Sequence, residues 1–172
     1  MGLFREMRRK NQQMSEARCV ALLEQGTSGV LALLGDEGYP YALPISYVYH
    51  DHALYFHGAK SGHKMDAVKR CSKASFCVVG QDRVIPEKYT TAYLSVIVFG
   101  QIRVLQGDEA RTVMEKLMLK YYPGDSESNR EQEILQSWAA TSVFALSIEH
   151  MTGKMGKELL SSPCKSGETP VL

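Results

Sequence analysis

Ten consecutive residues in the first half of the chain combine several groups that can bind an anion. Residues 55–64 read Tyr-Phe-His-Gly-Ala-Lys-Ser-Gly-His-Lys. The apolar start of this segment predicts a short strand, and the Gly-Ser turn after it predicts a helix over residues 62–70. Free backbone N–H groups at that helix N-terminus would lie beside the Ser61 hydroxyl, the His63 imidazole and the Lys64 ammonium. Because such an arrangement binds phosphate, a phosphate-bearing ligand is the first hypothesis.

Each polar group of this turn also has a simpler interpretation. Lys64 and His63 could be exposed helix residues, and Ser61 could cap the helix without any ligand. For Lys64, the Gly-Ser turn and the position at the helix start favour phosphate binding. For His63 and Ser61 both interpretations stay open, and a bound phosphate dianion would favour the charged form of His63.

The elements around this turn predict an antiparallel β structure. Strands are predicted at residues 29–34, 41–49 and 53–57, with turns at residues 35–38 and 50–52. Later strands are predicted at residues 74–79, 92–105 and 143–150, and residues 80–89 read as a loop that contains Pro86. Helices are predicted at residues 15–25, 108–121 and 130–138. Because strands and helices do not alternate strictly, a small barrel of five or six strands is expected rather than a doubly wound α/β fold.

Length and composition indicate one globular domain. The chain has 172 residues, of which 44% are hydrophobic and 23% are charged. We expect residues 1–160 to form the domain and residues 161–172, which are rich in Ser, Pro and Gly, to be a flexible tail. The net charge of +1 gives no bulk attraction to nucleic acid or to an acidic membrane.

Cysteine usage and hydropathy predict a cytoplasmic location. The four cysteines include no Cys-x-x-Cys pair, so they read as reduced packing residues. No apolar run approaches the length of a membrane span, and no signal peptide is recognised.

The order of several motifs resembles the pyridoxamine 5′-phosphate oxidase-like flavoproteins, and within them the branch that includes nitroimidazole-resistance proteins. The matching segments are residues 7–10, 29–32, 38–47, 55–59, 62–64 and 95–100. Each segment alone is weakly specific, whereas their order and spacing over residues 7–153 are fairly specific.

The resemblance implies a mainly β (α+β) fold, a six-stranded antiparallel split β-barrel with peripheral helices. It also implies a homodimer that binds FMN between its subunits, with the phosphate on the turn before the helix. In the oxidase this turn carries an Arg-Lys pair, and here His63 and Lys64 stand in its place. The oxidase's basic and aromatic substrate pattern near the C-terminus is not found. The resemblance therefore implies FMN binding rather than oxidation of pyridoxamine phosphate.

The resemblance also suggests roles for residues on the predicted strands. His57 would face the flavin ring or the substrate as the candidate catalytic residue, or it would be a rim histidine with a backbone partner. Ser95 interrupts an apolar strand, and either a flavin contact or a bond to the next strand would explain it. The other candidate flavin-binding residues are Pro44, Ile45, Ser46, Tyr47, Gly58, Ala59 and Gly62. An ordinary barrel strand would explain residues 44–47 equally well.

No metal site is predicted. His50 and His52 lie on a predicted turn, and no Cys or carboxylate completes a ligand set with them. Exposed turn histidines explain this pair without a metal. Neither a Walker A motif nor a nucleophile elbow is present.

Three functions are compatible with these observations. The first is an FMN-dependent oxidoreductase that reduces small flat acceptors such as nitroaromatic compounds. The second is a non-catalytic flavin- or haem-binding module. The third is a structural dimer that has lost its ligand, although such a protein would have no reason to keep both Gly62 and Lys64.

Overall fold

Seven strands within residues 4–160 form one antiparallel sheet. The computed structural model describes residues 4–160, so the predicted tail at residues 161–172 lies outside the described residues. The strands are β1 Ser28–Leu34, β2 Pro40–Ser46, β3 Val48–His50, β4 Ala53–Ala59, β5 Lys73–Ile85, β6 Thr90–Leu105 and β7 Thr141–Met155. Their order in the sheet is β2-β1-β5-β6-β7-β4-β3. The sheet curls without closing, because no ladder within residues 4–160 joins β2 to β3 or β4, and this open seam is that of a split β-barrel.

The predicted count of six strands is wrong, because Tyr47 divides the predicted strand at residues 41–49 into β2 and β3. The Tyr47 side chain is fully buried, and its hydroxyl donates to the Leu23 carbonyl at 2.8 Å. Its backbone N–H donates to the Tyr121 hydroxyl at 2.9 Å. Backbone bonding to a side chain replaces ladder pairing at this residue, so the strand ends and starts again.

The predicted loop at residues 80–89 is also wrong for most of its length. β5 runs on to Ile85 and pairs with β6 through Arg83 opposite Ala92 and Ile85 opposite Thr90. An irregularity between Val79 and Gln81 accommodates the intervening glycine. A short turn at Pro86–Lys88 then closes this long hairpin.

Helices lie around the sheet. They are α1 Glu16–Gln25, α2 His63–Arg70, α3 Gly107–Tyr121, α4 Glu127–Ser137 and α5 Lys157–Leu160. Ser15 is the N-cap of α1, and its hydroxyl accepts from the Arg18 N–H at 3.4 Å. α4 begins earlier than the predicted residue 130, since Ser126 caps it through the Asn129 N–H at 3.1 Å. No helix among residues 4–160 is long and apolar enough to cross a membrane.

Two hydrophobic cores hold these layers together. The first fills the curled sheet and includes Leu31, Phe56, Phe76 and Phe144. The second lies between α3 and α4 and the other side of β7, and it includes Val113, Leu117, Ile134, Val143 and Ala145. Successive residues of β4 pack in different cores. Phe56 packs in the first core, and Tyr55 packs against the second. The end of β4 is therefore held firmly where it leads into α2.

Candidate functional site

The corner between β4 and α2 leaves the first turn of the helix without an internal cap. β4 ends at Ala59 and α2 begins at His63, with Gly62 as the N-cap at φ 101°. This left-handed conformation favours glycine. No side chain caps the helix, and the exposed Ser61 hydroxyl has no hydrogen-bond partner among residues 4–160. The capping interpretation of Ser61 is therefore not realised, and the first N–H groups of α2 are free for an outside acceptor.

Lys64 places a cation beside this helix start. Its side chain is half-buried, and the ammonium lies 5.3 Å from the centroid of the Phe144 ring. It also lies against Gly58, where a side-chain Cβ would overlap it. Burial lowers the pKa of Lys64, and no carboxylate within the described residues 4–160 forms an ion pair with it. An anion bound at this point would offset the cost of burying the charge.

The His63 side chain points away from Lys64. Its ring stacks on Tyr41 with 3.9 Å between the centroids, and its Nε2 lies 3.6 Å from the Asp36 carboxylate. Arg70 donates to the same carboxylate at 2.6 Å, and this hydrogen bond holds the pKa of Asp36 below its usual value. The imidazole therefore has its own partners in the β1–β2 turn and on β2. Only the backbone N–H of His63 stays with the free N–H groups at the helix start.

His57 and Ser46 line one cavity of about 440 Å³ at the open seam of the barrel. We call it the histidine cavity. Its walls include Met114, Leu117 and Tyr121 of α3 and Thr141 at the start of β7. His57 is exposed toward the cavity, and the surrounding protein still lowers the pKa of its imidazole. The larger cause is burial, and the second is the positive charge of Lys64.

We expect Lys64→Ala to raise the pKa of His57, because the substitution removes a charge that disfavours the imidazolium. The folded pKa of His57 lies below the unfolded value of about 6.5. The neutral ring is thus favoured by folding, and this contribution to stability is present above the unfolded pKa and lost as pH falls through the folded pKa. NMR titration of the imidazole Cε1–H in both proteins measures the change. Lys88→Ala, on the distant β5–β6 turn, should leave the titration unchanged; equal pKa values in wild type and Lys64→Ala would contradict the coupling.

Sequence and structure comparisons assign the family. A model of the pyridoxamine 5′-phosphate oxidase family matches residues 15–155. The chain belongs to this family. No curated protein sequence matches this family member significantly.

Several solved structures resemble this oxidase-family chain. One is a proposed 5-nitroimidazole antibiotic resistance protein from Bacteroides thetaiotaomicron, with 18% identity, 83% of this chain and 85% of that chain covered, and a TM-score of 0.71. Another is an FAD and heme binding protein from Mycobacterium smegmatis, with 25% identity, 85% and 74% covered, and a TM-score of 0.70. A conserved hypothetical protein from Mycobacterium tuberculosis gives 16% identity, 96% and 100% covered, and a TM-score of 0.78.

The predicted site residues on β2 and just after it have different surroundings, and among residues 44–47 only Ser46 lines the histidine cavity. Ser46 faces the histidine cavity, and Pro44 is exposed on the same strand. Ile45 packs against the first core, and Tyr47 is buried with its hydroxyl and N–H already bonded. Side-chain contacts from Ile45 and Tyr47 to a ligand would need this packing to change.

Ser95 is not brought together with the β4–α2 corner. It lies on β6 between Val79 and Lys154, and β1 and β5 separate its strand from β2. Ser95 is half-buried on the outer face of the sheet. Within one copy of this oxidase-family chain, Ser95 and Lys64 therefore belong to different surfaces.

Sequence reasoning missed the contribution of α3 to the histidine cavity. The sequence predicts a helix over residues 108–121, and it assigns no ligand-facing residue to that helix. Met114 and Leu117 do pack in the second core, and they also form a wall of the cavity. Tyr121 at the helix end is the sequence signal that could have indicated a partly polar surface on this helix face, because a tyrosine usually keeps its hydroxyl near a polar partner.

Proposed function

We propose that the chain binds FMN and that the FMN phosphate is held at the start of α2. The observation that carries this proposal is the half-buried Lys64, a cation with no carboxylate partner in residues 4–160, next to free helix N–H groups. A phosphate there would gain charge-assisted hydrogen bonds from both sources. Gly58 supports the site because its missing side chain leaves the ammonium room beside β4.

The histidine cavity is the proposed place for the flavin ring. It adjoins the end of β4 through His57, and its volume is in the range of small-molecule sites. Met114 and Leu117 would face the flat ring, and the neutral His57 imidazole would exchange a hydrogen bond with its polar edge. FMN would supply the redox chemistry, and these residues would bind and orient it.

A mononucleotide suits this site better than a dinucleotide. The β4–α2 corner offers donors for one terminal phosphate, and the sequence contains no dinucleotide fingerprint. The M. smegmatis neighbour is described as binding FAD and heme, which keeps a non-catalytic flavin- or haem-binding module as the alternative. That alternative needs no acceptor site, whereas the oxidoreductase does.

We propose that electrons pass from a nicotinamide or another donor through FMN to a small flat acceptor such as a nitroaromatic compound. The apolar walls of the histidine cavity suit a planar, uncharged molecule. Glu133 lines the same cavity and is exposed, so it disfavours anionic acceptors. Besides His57 and Glu133, no ionisable side chain except the Tyr121 phenol lines this cavity to anchor a substrate, so slow and broad turnover is expected.

A second copy of the chain is the proposed partner. The outer face of β1, β5 and β6 exposes apolar side chains: Val30, Val79, Ile97 and Phe99. Val79 is 61% exposed, and burying this face against another copy would remove apolar area from water. Ser95 lies on the same face, so the partner could bring its Ser95 to the flavin. The free cysteines Cys19, Cys71 and Cys77 support the proposed cytoplasmic location.

The test is binding followed by turnover. We expect the purified chain to bind FMN more tightly than riboflavin or FAD in calorimetry, because only FMN ends in a single phosphate at the right place. The FMN-loaded protein should then oxidise NADH or NADPH in the presence of a neutral nitroaromatic or quinone. Equal affinity for FMN and riboflavin would contradict the phosphate site. Tight FMN binding without turnover would favour the non-catalytic module.

A further inference from the structure

A second cavity, of about 450 Å³, lies across Thr141 from the histidine cavity. Thr141 lines both, whereas Lys64 and His57 do not line the second one. Its walls come from α2 and the residue before its turn, the end of β6, the start of α3, the end of α4 and the start of β7. We call it the lysine cavity, after Lys60 and Lys69, which both line it.

The charge of the lysine cavity is one-sided. Lys60 and Lys69 bring two cations, and none of its lining residues is acidic. Neither lysine forms an ion pair with a carboxylate in residues 4–160. The nearby Glu109 is already held by Arg103. The cavity therefore offers a positive potential to an incoming anion.

Backbone donors add to this charge at the start of α3. Gln106 is the N-cap of this helix and gives no side-chain cap, and Gly107 follows at φ 56°. Both residues line the lysine cavity. The first N–H groups of α3 thus lack an internal acceptor beside the two lysines.

Ser142 is the observation that points independently to a ligand. It is only 8% exposed, and it lines the lysine cavity. Its hydroxyl has no hydrogen-bond partner within the described part of the chain. Most polar groups at this depth are bonded within the protein, whereas this hydroxyl stays open to the cavity. A ligand oxygen in the cavity would satisfy it.

The rest of the lining is apolar and includes an aromatic ring. Trp138 lies at the end of α4 and lines the cavity together with Val104 and Leu105. Such walls accept a flat hydrocarbon ring, while the lysines and Ser142 accept its charged end. We propose that the lysine cavity binds a small aromatic anion, a ring that carries a phosphate or carboxylate group. This second site is separate from the proposed flavin site.

Phenyl phosphate and benzoate are suitable test ligands for the full chain. Trp138 is the single tryptophan, so its fluorescence reports on this cavity, and calorimetry gives the affinity. We expect saturable binding of at least one ligand, and the stronger of the two identifies the preferred anion. Benzyl alcohol, which lacks the charge, should bind more weakly by about tenfold or more. No saturable binding at millimolar concentration, or equal binding of benzyl alcohol, would overturn the proposal.

Three lysine variants locate the ligand. Lys60→Met and Lys69→Met should each weaken binding about tenfold, because each removes a charge-assisted contact. Both side chains are exposed, so the fold should survive, and circular dichroism checks this. Lys88→Met is the matched control and should bind like wild type.

Lys64→Ala separates the lysine cavity from the proposed flavin site. It should leave phenyl phosphate and benzoate affinity unchanged, and saturating FMN should not displace either ligand. If Lys64→Ala abolishes binding while Lys60→Met and Lys69→Met do not, the ligand occupies the flavin phosphate position and the proposal is wrong. Because the comparison of the three lysine variants needs no FMN, failure of the flavin proposal would be seen separately.

Discussion

Replacing Lys64 by alanine should weaken FMN binding about ten- to a hundredfold. A charge-assisted hydrogen bond to phosphate contributes roughly 1.5–3 kcal/mol, and that range corresponds to this loss of affinity. The fold should survive, because Lys64 belongs to the first turn of α2 and its ammonium fills no core position. Removing a half-buried charge without a carboxylate partner also relieves its desolvation cost, so stability should not fall.

Riboflavin is the control that assigns this loss to the phosphate. It has the same ring system and lacks the phosphate, so Lys64→Ala should leave its affinity nearly unchanged. Lys88→Ala, on the exposed β5–β6 turn, is the matched variant and should bind both flavins like wild type. Calorimetric titration of the three proteins with the two flavins gives the comparison. Unchanged FMN affinity in Lys64→Ala would show that Lys64 is not a phosphate ligand.

Ser61→Ala should weaken FMN binding less than Lys64→Ala does. Because Ser61 caps nothing in residues 61–65, its loss should not weaken α2, and any decrease in FMN affinity would come from a lost hydroxyl contact. His63 differs from both, since its ring is held by Tyr41 and Asp36. The local sequence could not reveal this difference. The partners of His63 come from the β1–β2 turn and from β2, more than twenty residues earlier in the chain.

The strands were predictable where one face is buried. In β1 and β4 the apolar residues alternate with others or follow one another directly. Both strands were located to within a few residues from the sequence. The second half of β5 was not, because Asp82, Arg83 and Val84 are all exposed and give no period of two. Its strand conformation comes from pairing with β6, which is a long-range contact that local propensity does not encode.

The division between β2 and β3 has a similar cause. Nothing in the sequence of residues 41–49 marks Tyr47 as a break. It becomes one because Leu23 and Tyr121, from α1 and α3, bond to its hydroxyl and its N–H. Burial also raises the pKa of the Tyr47 hydroxyl, which keeps it a neutral donor. The candidate site has the same limit. The turn at residues 61–64 could be predicted from the local sequence. The histidine cavity could not, because its walls come from α3 and β7, which are distant in the chain.

The exposed apolar face of the sheet leads to the second large expected effect. Ile97 lies near the middle of this face, opposite Cys77 on β5 and Thr152 on β7, and it is 40% exposed. If a second copy covers the face, Ile97→Asp would bury an unpaired carboxylate between the subunits. Such a charge costs about 3 kcal/mol or more, so the dimer dissociation constant should rise about a hundredfold or more. Sedimentation velocity over a range of micromolar concentrations measures the change.

Leu135→Asp is the matched control for the dimer. Leu135 is 63% exposed on α4, away from the sheet face, so the same chemical change there should leave the dimer intact. Thermal unfolding separates lost association from lost folding, because an exposed strand residue should tolerate aspartate in the monomer with only a small shift. FMN affinity should fall in Ile97→Asp and not in Leu135→Asp if the partner's face completes the flavin site. A wild-type chain that sediments as a stable monomer with FMN bound would contradict both the dimer and the shared site.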